Sequence, residues 1–358
     1  IATDVTSMDP QYANIAGNVQ ASRHMFESLA DLDAEGRLVP RLAESWQRVA
    51  PSVWEFKLRR NVKFHDGSAF TAEDVVYSVG RPATLTASRA TLNGFLKDIS
   101  KAEAVNEHTV RLTTSTPLAV LPNYMAMVPM VSKKATTGLK PEDFESGKGM
   151  SGTGPYKFVR FLRSDRVELL RNDAYWGNKP TYDKVTIRIM PNNPARTAAL
   201  LSGEVDVIAA VPAADLARIK SNANLTFYTK PLARHTFWTM NQFSERLPLA
   251  TDHADKPLAG NPFKDVRVRR AFSKAIDREA IGTRVMEGLG VPTQNPVPPT
   301  MFGYNPSVQP EKLDLDGAKK LMAEAGYPNC FKLSIFARSD SHPTDSAQAQ
   351  ATGQMLSR

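Results

Sequence analysis

Residues 53–79 read VWEFKLRRNVKFHDGSAFTAEDVVYSV, and this stretch changes its period halfway along. Trp54, Phe56, Leu58, Val62 and Phe64 share one parity, which is the pattern of a β-strand with one buried face. Asp66-Gly67 is a pair typical of tight turns. Thr71 and the acids that follow it resemble a capping box at the start of a helix. The stretch therefore predicts a strand, a turn and a capped helix in immediate succession.

Two interpretations of this unit are open from its residues. In an enzyme, His65-Asp66 would be an acid–base pair at a catalytic turn. In a binding protein, the same residues would be scaffold. Adjacent residues in a turn usually point apart, which favours scaffold.

The composition limits the class of protein. A chain of 358 residues exceeds the usual size of one hydrophobic core and predicts two or three domains. A hydrophobic content of 42% and a charged content of 23% are ordinary for globular proteins and argue against disorder. No apolar run approaches the roughly 18 residues of a membrane helix. Cys330 is the single cysteine, so neither an intrachain disulfide nor a cysteine-based metal site is expected.

The net charge of +8 permits binding to acidic partners. However, the basic residues are interspersed with acids, as in RRNVKFHDG (59–67) and KDVRVRRAF (264–272). This mixing indicates a solvated surface rather than a nucleic-acid site. The chain does not begin with Met, which is consistent with a leader that has been removed.

The pattern along the chain predicts a mixed α/β protein. Residues 34–64 are typical of β-structure. Residues 183–231 alternate strand and helix, which predicts a βαβαβ unit with a parallel sheet, and a further strand is expected over 235–241. Residues 244–262 are the best linker candidate. The last part has helices and one clear strand (331–338), too little to bury a sheet face, so we expect the sequence to be cut short.

Other motifs favour structural roles. Gly152-Thr153-Gly154-Pro155 lacks the spacing of a phosphate loop, and a tight turn into a strand is the better interpretation. The histidines have no metal-ligand spacing, and a GxSxG motif is absent. Met125, Met127 and Met130 are equally consistent with an adaptable binding surface and with core filling.

Six stretches together carry a family resemblance. They are LVPRLAESW (38–46), the opening stretch 53–79, GTGPYKF (152–158), LLRNDAYWGNKPTYDKV (169–185), AALLSGEVDV (198–207) and DVRVRRAFSKAIDREAI (265–281). In this order and at these separations they resemble the dipeptide/oligopeptide/nickel-binding family 5 of bacterial ABC-transporter solute-binding proteins. The resemblance covers essentially the whole chain.

The resemblance implies a two-lobed α/β protein of the type II periplasmic-binding architecture. Residues 1–33 and 152–240 would form the core of a discontinuous first lobe, and 34–151 an extra β-rich subdomain of that lobe. Residues 241–358 would form an incomplete second lobe. The opening stretch would then build the subdomain beside the cleft.

The resemblance also implies which residues bind. The loop before the first helix, at Ala16, Gly17, Asn18 and Val19, would present backbone to an extended peptide, which small residues permit. The subdomain would contribute Thr91, Leu92, Asn93 and Met127. Asn241 would lie at the first crossover to the second lobe.

The implied function is non-enzymatic. A small peptide would be captured by hinge closure and delivered to the permease subunits of an ABC importer, with no cofactor, metal or nucleic acid involved. The protein would be a periplasmic monomer. A carrier of a metal complex, nickel or haem on the same fold is the first alternative, with Arg81 and Arg89 as candidate contacts. A hydrolase using His65 or His235, and a nucleic-acid-binding protein, are the others.

Overall fold

The computed structural model describes residues 1–85, 88, 91–230, 235–299, 301, 303–337 and 344–358. Their contacts divide the chain into two compact units, Ile1–Ala209 (unit 1) and Ala210–Arg358 (unit 2). The lobe and subdomain boundaries implied by the resemblance stay predictions. None of the described helices is both long enough and apolar enough to span a bilayer.

Unit 1 contains most of the strands. Its helices and strands in chain order are α1 (Ala16–Ser22), β1 (Ala30–Leu32), β2 (Leu38–Pro40), β3 (Ala43–Ala50), β4 (Val53–Leu58), α2 (Ala72–Gly80), α3 (Asn93–Leu96), β5 (Ile99–Asn106), β6 (Thr109–Thr114), α4 (Leu121–Met125), α5 (Lys133–Thr136), β7 (Tyr156–Leu162), β8 (Arg166–Arg171), β9 (Lys184–Arg188) and α6 (Asn193–Leu201).

Unit 2 is mainly helical. Its helices and strands are α7 (Leu216–Lys220), β10 (Ala250–Thr251), α8 (Val266–Ala275), α9 (Arg278–Ala280), α10 (Leu315–Glu324), β11 (Lys332–Leu333) and α11 (Asp345–Leu356). A π-helical turn, Ile281–Val285, follows α9.

The opening stretch folds into the predicted strand, turn and capped helix, but the strand ends at Leu58, before Val62 and Phe64. Strand β4 lies between β3 and β6 in an antiparallel sheet of order β3-β4-β6-β5. Phe56 is fully buried and lies opposite Trp46 on one side and Val110 on the other. Helix α2 begins with the predicted capping box, in which the Asp74 carboxylate accepts hydrogen bonds from the backbone N–H and the hydroxyl of Thr71 at 3.0 and 3.1 Å. One core, formed by residues 29–130, joins this sheet to α2.

A second core lies beside the first. It is built from the antiparallel sheet β7-β8-β9, residues of the segment 5–26, and Val131, Phe144 and Met150. The loop 152–155 leads into β7 as predicted, and its Gly154 N–H donates to the Met25 carbonyl at 2.9 Å.

A buried carboxylate lies where the two cores of unit 1 meet. Both oxygens of Glu27 accept two bonds each: Oε1 from Arg41 Nε and the Tyr175 hydroxyl, both at 2.7 Å, and Oε2 from the Thr153 hydroxyl at 2.9 Å and Trp176 Nε1 at 2.8 Å. The four donors satisfy a charge that would otherwise be costly to bury. Glu27 therefore ties together segments from both cores.

The predicted parallel βαβαβ unit is wrong. Every strand pair in the described residues is antiparallel, and β9 pairs with β8. Residues 204–209 and 225–230 form no strand, and Val207 is 83% exposed. An apolar run supplies side chains but not a hydrogen-bonding neighbour, and a strand needs both.

Unit 2 is organised around α8 and α10. Asp265 caps α8 by accepting from the Arg267 N–H at 2.8 Å, and Val268 and Ala271 pack against Ala318 and Met322 of α10. The predicted strand over 235–241 is not formed, and the one expected over 331–338 shortens to β11, whose partner is the two-residue β10. The reason is again the lack of a pairing strand among the described residues.

Candidate functional site

The segment that precedes α1 is held by a buried ion pair. Arg81 Nη2 lies 2.6 Å from Asp9 Oδ2, Nη1 lies 2.9 Å from Asp9 Oδ1, and the two side chains are 4% and 0% exposed. Gln11 Nε2 donates at 2.9 Å to the carbonyls of Ser78 and Pro129. These bonds fix residues 9–11 against the end of α2 and the segment 127–131. Arg81 is thereby committed to the protein interior and not to a ligand.

Two of the predicted binding residues face inward. A Cβ on Gly17 would overlap the backbone carbonyl of Asp4, so only glycine fits there. Asn18 is buried, and its Oδ1 accepts from the N–H groups of Thr6 and Ser7 at 2.9 and 3.3 Å. Both residues hold α1 against the N-terminal segment.

Their two neighbours occupy the outer side of α1. Ala16, at the first helical position, is exposed, and Val19 is half-buried. If α1 meets a ligand, these two residues and the backbone before them are the groups available to it.

The second predicted group lies around α3 and α4. Leu92 is a core residue, whereas Thr91, Asn93 and Met127 are half-buried. The Thr91 hydroxyl accepts from the Asn93 N–H at 3.2 Å and shapes the start of α3. Met127 is two residues from Pro129, whose carbonyl accepts from Gln11.

Asn241 belongs to unit 2 and is exposed. Its Oδ1 accepts from the N–H groups of Phe243 and Ser244, and its Nδ2 donates to the Ser244 hydroxyl at 2.8 Å. These bonds form a local turn, in which both atoms of the side-chain amide have partners.

A cavity of about 750 Å³ in unit 2 was not predicted from the sequence. Its walls are mostly apolar and include Trp238, Phe263 and Phe272, and Asn241 and His235 also line it. The apolar positions over 235–240 were assigned to a strand, and the sequence offered no sign that they would border a cavity.

The chemistry available to these residues is that of binding. The described parts of the chain contain no group of three or more His, Cys, Asp or Glu residues placed to hold a metal ion. The His65 ring contacts backbone groups of residues 152 and 154 and not a nucleophile. Arg89, the other candidate contact for a metal complex, lies outside the described residues, as does His342.

The comparisons with known proteins identify the family. Residues 37–358 match the model of bacterial extracellular solute-binding proteins, family 5. The chain therefore belongs to that family, and the predicted resemblance is confirmed.

A relative and two solved structures illustrate the likeness. The chain is 29% identical over its whole length to a glutathione-binding protein of Pectobacterium atrosepticum, and spans 66% of the length of that relative. It covers 70% of the Helicobacter pylori periplasmic binding protein DppA, solved with the peptide STSA, at 26% identity and a TM-score of 0.73. It likewise covers 70% of the substrate-binding protein CtaP of Listeria monocytogenes, at 25% identity and a TM-score of 0.77. These neighbours confirm the α/β fold class.

Proposed function

We propose that this protein is the extracytoplasmic solute-binding component of an ABC importer, and that it captures a small peptide and delivers it to the permease subunits in the membrane. Binding without chemical change is the activity, and the periplasm is the compartment. The observation that carries the proposal is membership of family 5 over residues 37–358.

A short peptide of the glutathione class is the ligand that the relatives favour. The relative from Pectobacterium binds glutathione by its name, and it aligns with all of this chain. The H. pylori structure contains a four-residue peptide. Both are short peptides with charged ends and amide groups, which exposed backbone can bind by hydrogen bonds.

The proposed contacts are the residues that the resemblance singled out, in two roles. Ala16, Val19, Thr91, Asn93 and Met127 are at least partly exposed and would contact the ligand. The buried members would hold the backbone of their neighbours in place. Asn241 stays a predicted binding residue.

The test is a thermal-unfolding series at neutral pH with three separate additions: reduced glutathione, the peptide Ser-Thr-Ser-Ala and free glycine as the negative control. A ligand present at 100 times its dissociation constant stabilises the folded state by about 2.7 kcal/mol. For a folded unit of about 150–250 residues, the size range of unit 1, we expect the melting temperature to rise by about 5–10 °C. Mass spectrometry of the recovered ligand should find it unchanged.

A matched pair of variants tests the site. Ala16 and Ala34 are both exposed residues of unit 1, and Ala34 lies in a surface turn. For Ala16→Asp, the glutathione concentration that gives the same rise in melting temperature should increase at least tenfold, because the substitution places a carboxylate where an acidic peptide would bind. Ala34→Asp adds the same charge and should leave the stabilisation unchanged. Equal responses of the two variants would refute the site, and no response to either peptide, or a chemically altered ligand, would refute the function.

A further inference from the structure

The loop 151–155 is clamped between the two cores of unit 1. A Cβ on Gly152 would overlap the Met25 carbonyl, and one on Gly154 would come within 2.7 Å of the His24 carbonyl oxygen. Thr153 is fully buried and donates to Glu27. The loop therefore lies in direct contact with backbone of the second core, with no room for side chains at either glycine.

The first core reaches the same loop through His65. Its ring Nε2 lies 2.9 Å from the Gly154 carbonyl oxygen, and its Nδ1 lies 3.3 Å from the Gly152 backbone nitrogen. The backbone N–H of His65 also donates to the Gly152 carbonyl at 2.8 Å. A carbonyl only accepts and an amide N–H only donates, so the geometry requires the neutral ring with its proton on Nε2.

We propose that His65 is a pH-sensitive clasp between the turn 65–68 and the loop 151–154, closed while the imidazole is neutral and opened when it gains a proton. Protonation turns Nδ1 from an acceptor into a donor that faces the Gly152 N–H. The bond at Nδ1 is then lost, and two N–H groups oppose each other at a half-buried site. The clasp acts on the junction of the two cores, away from the residues proposed to bind ligand.

Three charged groups surround the clasp. Lys157 of β7 donates to the His65 backbone carbonyl at 3.4 Å, and its positive charge disfavours a second cation on the ring. The Asp66 carboxylate favours the charged ring, but it is already engaged by the backbone N–H and hydroxyl of Ser68 at 3.0 and 2.6 Å. Lys134 lies near Asp66 and offsets part of its charge.

Burial decides the direction of the titration. It lowers the pKa of His65, with Lys157 acting in the same direction, against the carbonyls of Gly154 and Met150 and the carboxylate of Asp66, which raise it. Since the unfolded or opened state binds the proton more readily, the clasp is fully stable above a pH of about 6.5 and weakens as the pH falls towards the lower folded pKa.

The test is hydrogen exchange of the full chain, measured by mass spectrometry on fragments covering residues 149–157 and corrected for the intrinsic effect of pH. A released imidazole goes from about one-tenth to nine-tenths protonated between pH 7.5 and 5.5, so the opening constant of this loop should rise by up to about tenfold. His65→Gln keeps a neutral donor and acceptor, and should remove that pH dependence. Its matched control, His108→Gln, changes a half-buried histidine of unit 1 in the turn between β5 and β6, and should keep the dependence.

A second measurement decides the matter if His65→Gln fails to fold. In the wild-type protein labelled with ¹⁵N at histidine, the nitrogen shifts of His65 should report the Nε2–H form down to a lower pH than an exposed histidine. The proposal is overturned by loop protection that does not change with pH, by the same pH dependence in His65→Gln, or by a His65 ring that titrates in the folded protein near pH 6.5.

Discussion

Replacing Glu27 by Gln removes the charge at the junction of the two cores while keeping the shape of the side chain. The amide oxygen can take the place of Oε1 and accept from Arg41 and Tyr175. The amide nitrogen then takes the place of Oε2, between the Thr153 hydroxyl and the Trp176 indole N–H. The hydroxyl can rotate and accept, but the indole N–H cannot.

The expected cost follows from these contacts. One partly buried indole N–H left without an acceptor costs about 1–3 kcal/mol, and breaking a buried charge pair on one side costs about 3–5 kcal/mol. Because Arg41 keeps one acceptor and remains about one-third exposed, we expect the lower end of the range for a broken charge pair, a loss of about 3 kcal/mol in the free energy of unfolding. Urea unfolding followed by tryptophan fluorescence measures it, since three of the four tryptophans belong to unit 1.

A double-mutant cycle tests the assignment of the cost. Trp176→Phe removes the indole N–H, so Glu27→Gln should cost about 1 kcal/mol less in that background. Tyr175→Phe is the matched control, because the amide oxygen still accepts from Tyr175 and little coupling should appear. A cost below 1 kcal/mol for Glu27→Gln, or equal coupling to both aromatic residues, would refute the reasoning.

Three further predictions concern unit 1. Gly152→Ala should destabilise the protein by more than about 3 kcal/mol in urea unfolding, since its methyl group overlaps a carbonyl, whereas Gly94→Ala, with nothing within 4 Å of the added carbon, should be neutral or stabilising. Asp9→Asn should cost about 3–5 kcal/mol by removing the counter-charge of a buried guanidinium, and Glu73→Gln, in an exposed ion pair, less than about 1 kcal/mol. Hydrogen bonds from two arginines lower the pKa of Glu168 to about 2. The contribution of this carboxylate to stability is therefore present above a pH of about 4.5 and is lost as the pH falls towards 2. Glu168→Gln should make the free energy of unfolding less dependent on pH between 4.5 and 2, and an unchanged dependence would contradict this.

Local signals in the sequence predicted local structure well. The alternation in β4, the turn at Asp66-Gly67 and the capping box at Thr71 each depend on residues within one turn or strand, and all three form. The strands expected over 204–211 and 235–241 failed because strand formation depends on a neighbour elsewhere in the chain. The same run of apolar residues occurs in a sequence whether or not the folded chain supplies that neighbouring strand.

In the candidate site, too, local features were predictable from the sequence and long-range contacts were not. The small residues at the start of α1 were visible in the sequence, but the side of the helix that Gly17 and Asn18 face depends on contacts with residues 4–7. Nothing in the sequence indicated the role of Glu27, because three of its four hydrogen-bond partners lie 126–149 positions away along the chain. The fourth partner, Arg41, comes close to Glu27 only once the chain has folded. Contacts of this kind produce no periodic pattern in the sequence.

The four donors around Glu27 determine whether a segment of unit 1 can be removed without unfolding the rest. Arg41 belongs to the segment 34–151, whereas Thr153, Tyr175 and Trp176 follow that segment in the chain, and Trp176 packs against the first core. Excising residues 34–151 would take Arg41 away, and would also remove Val131, Phe144 and Met150 from the interior of the part left behind. The β-rich segment is therefore not a detachable module, and the two halves of unit 1 should melt in a single cooperative step.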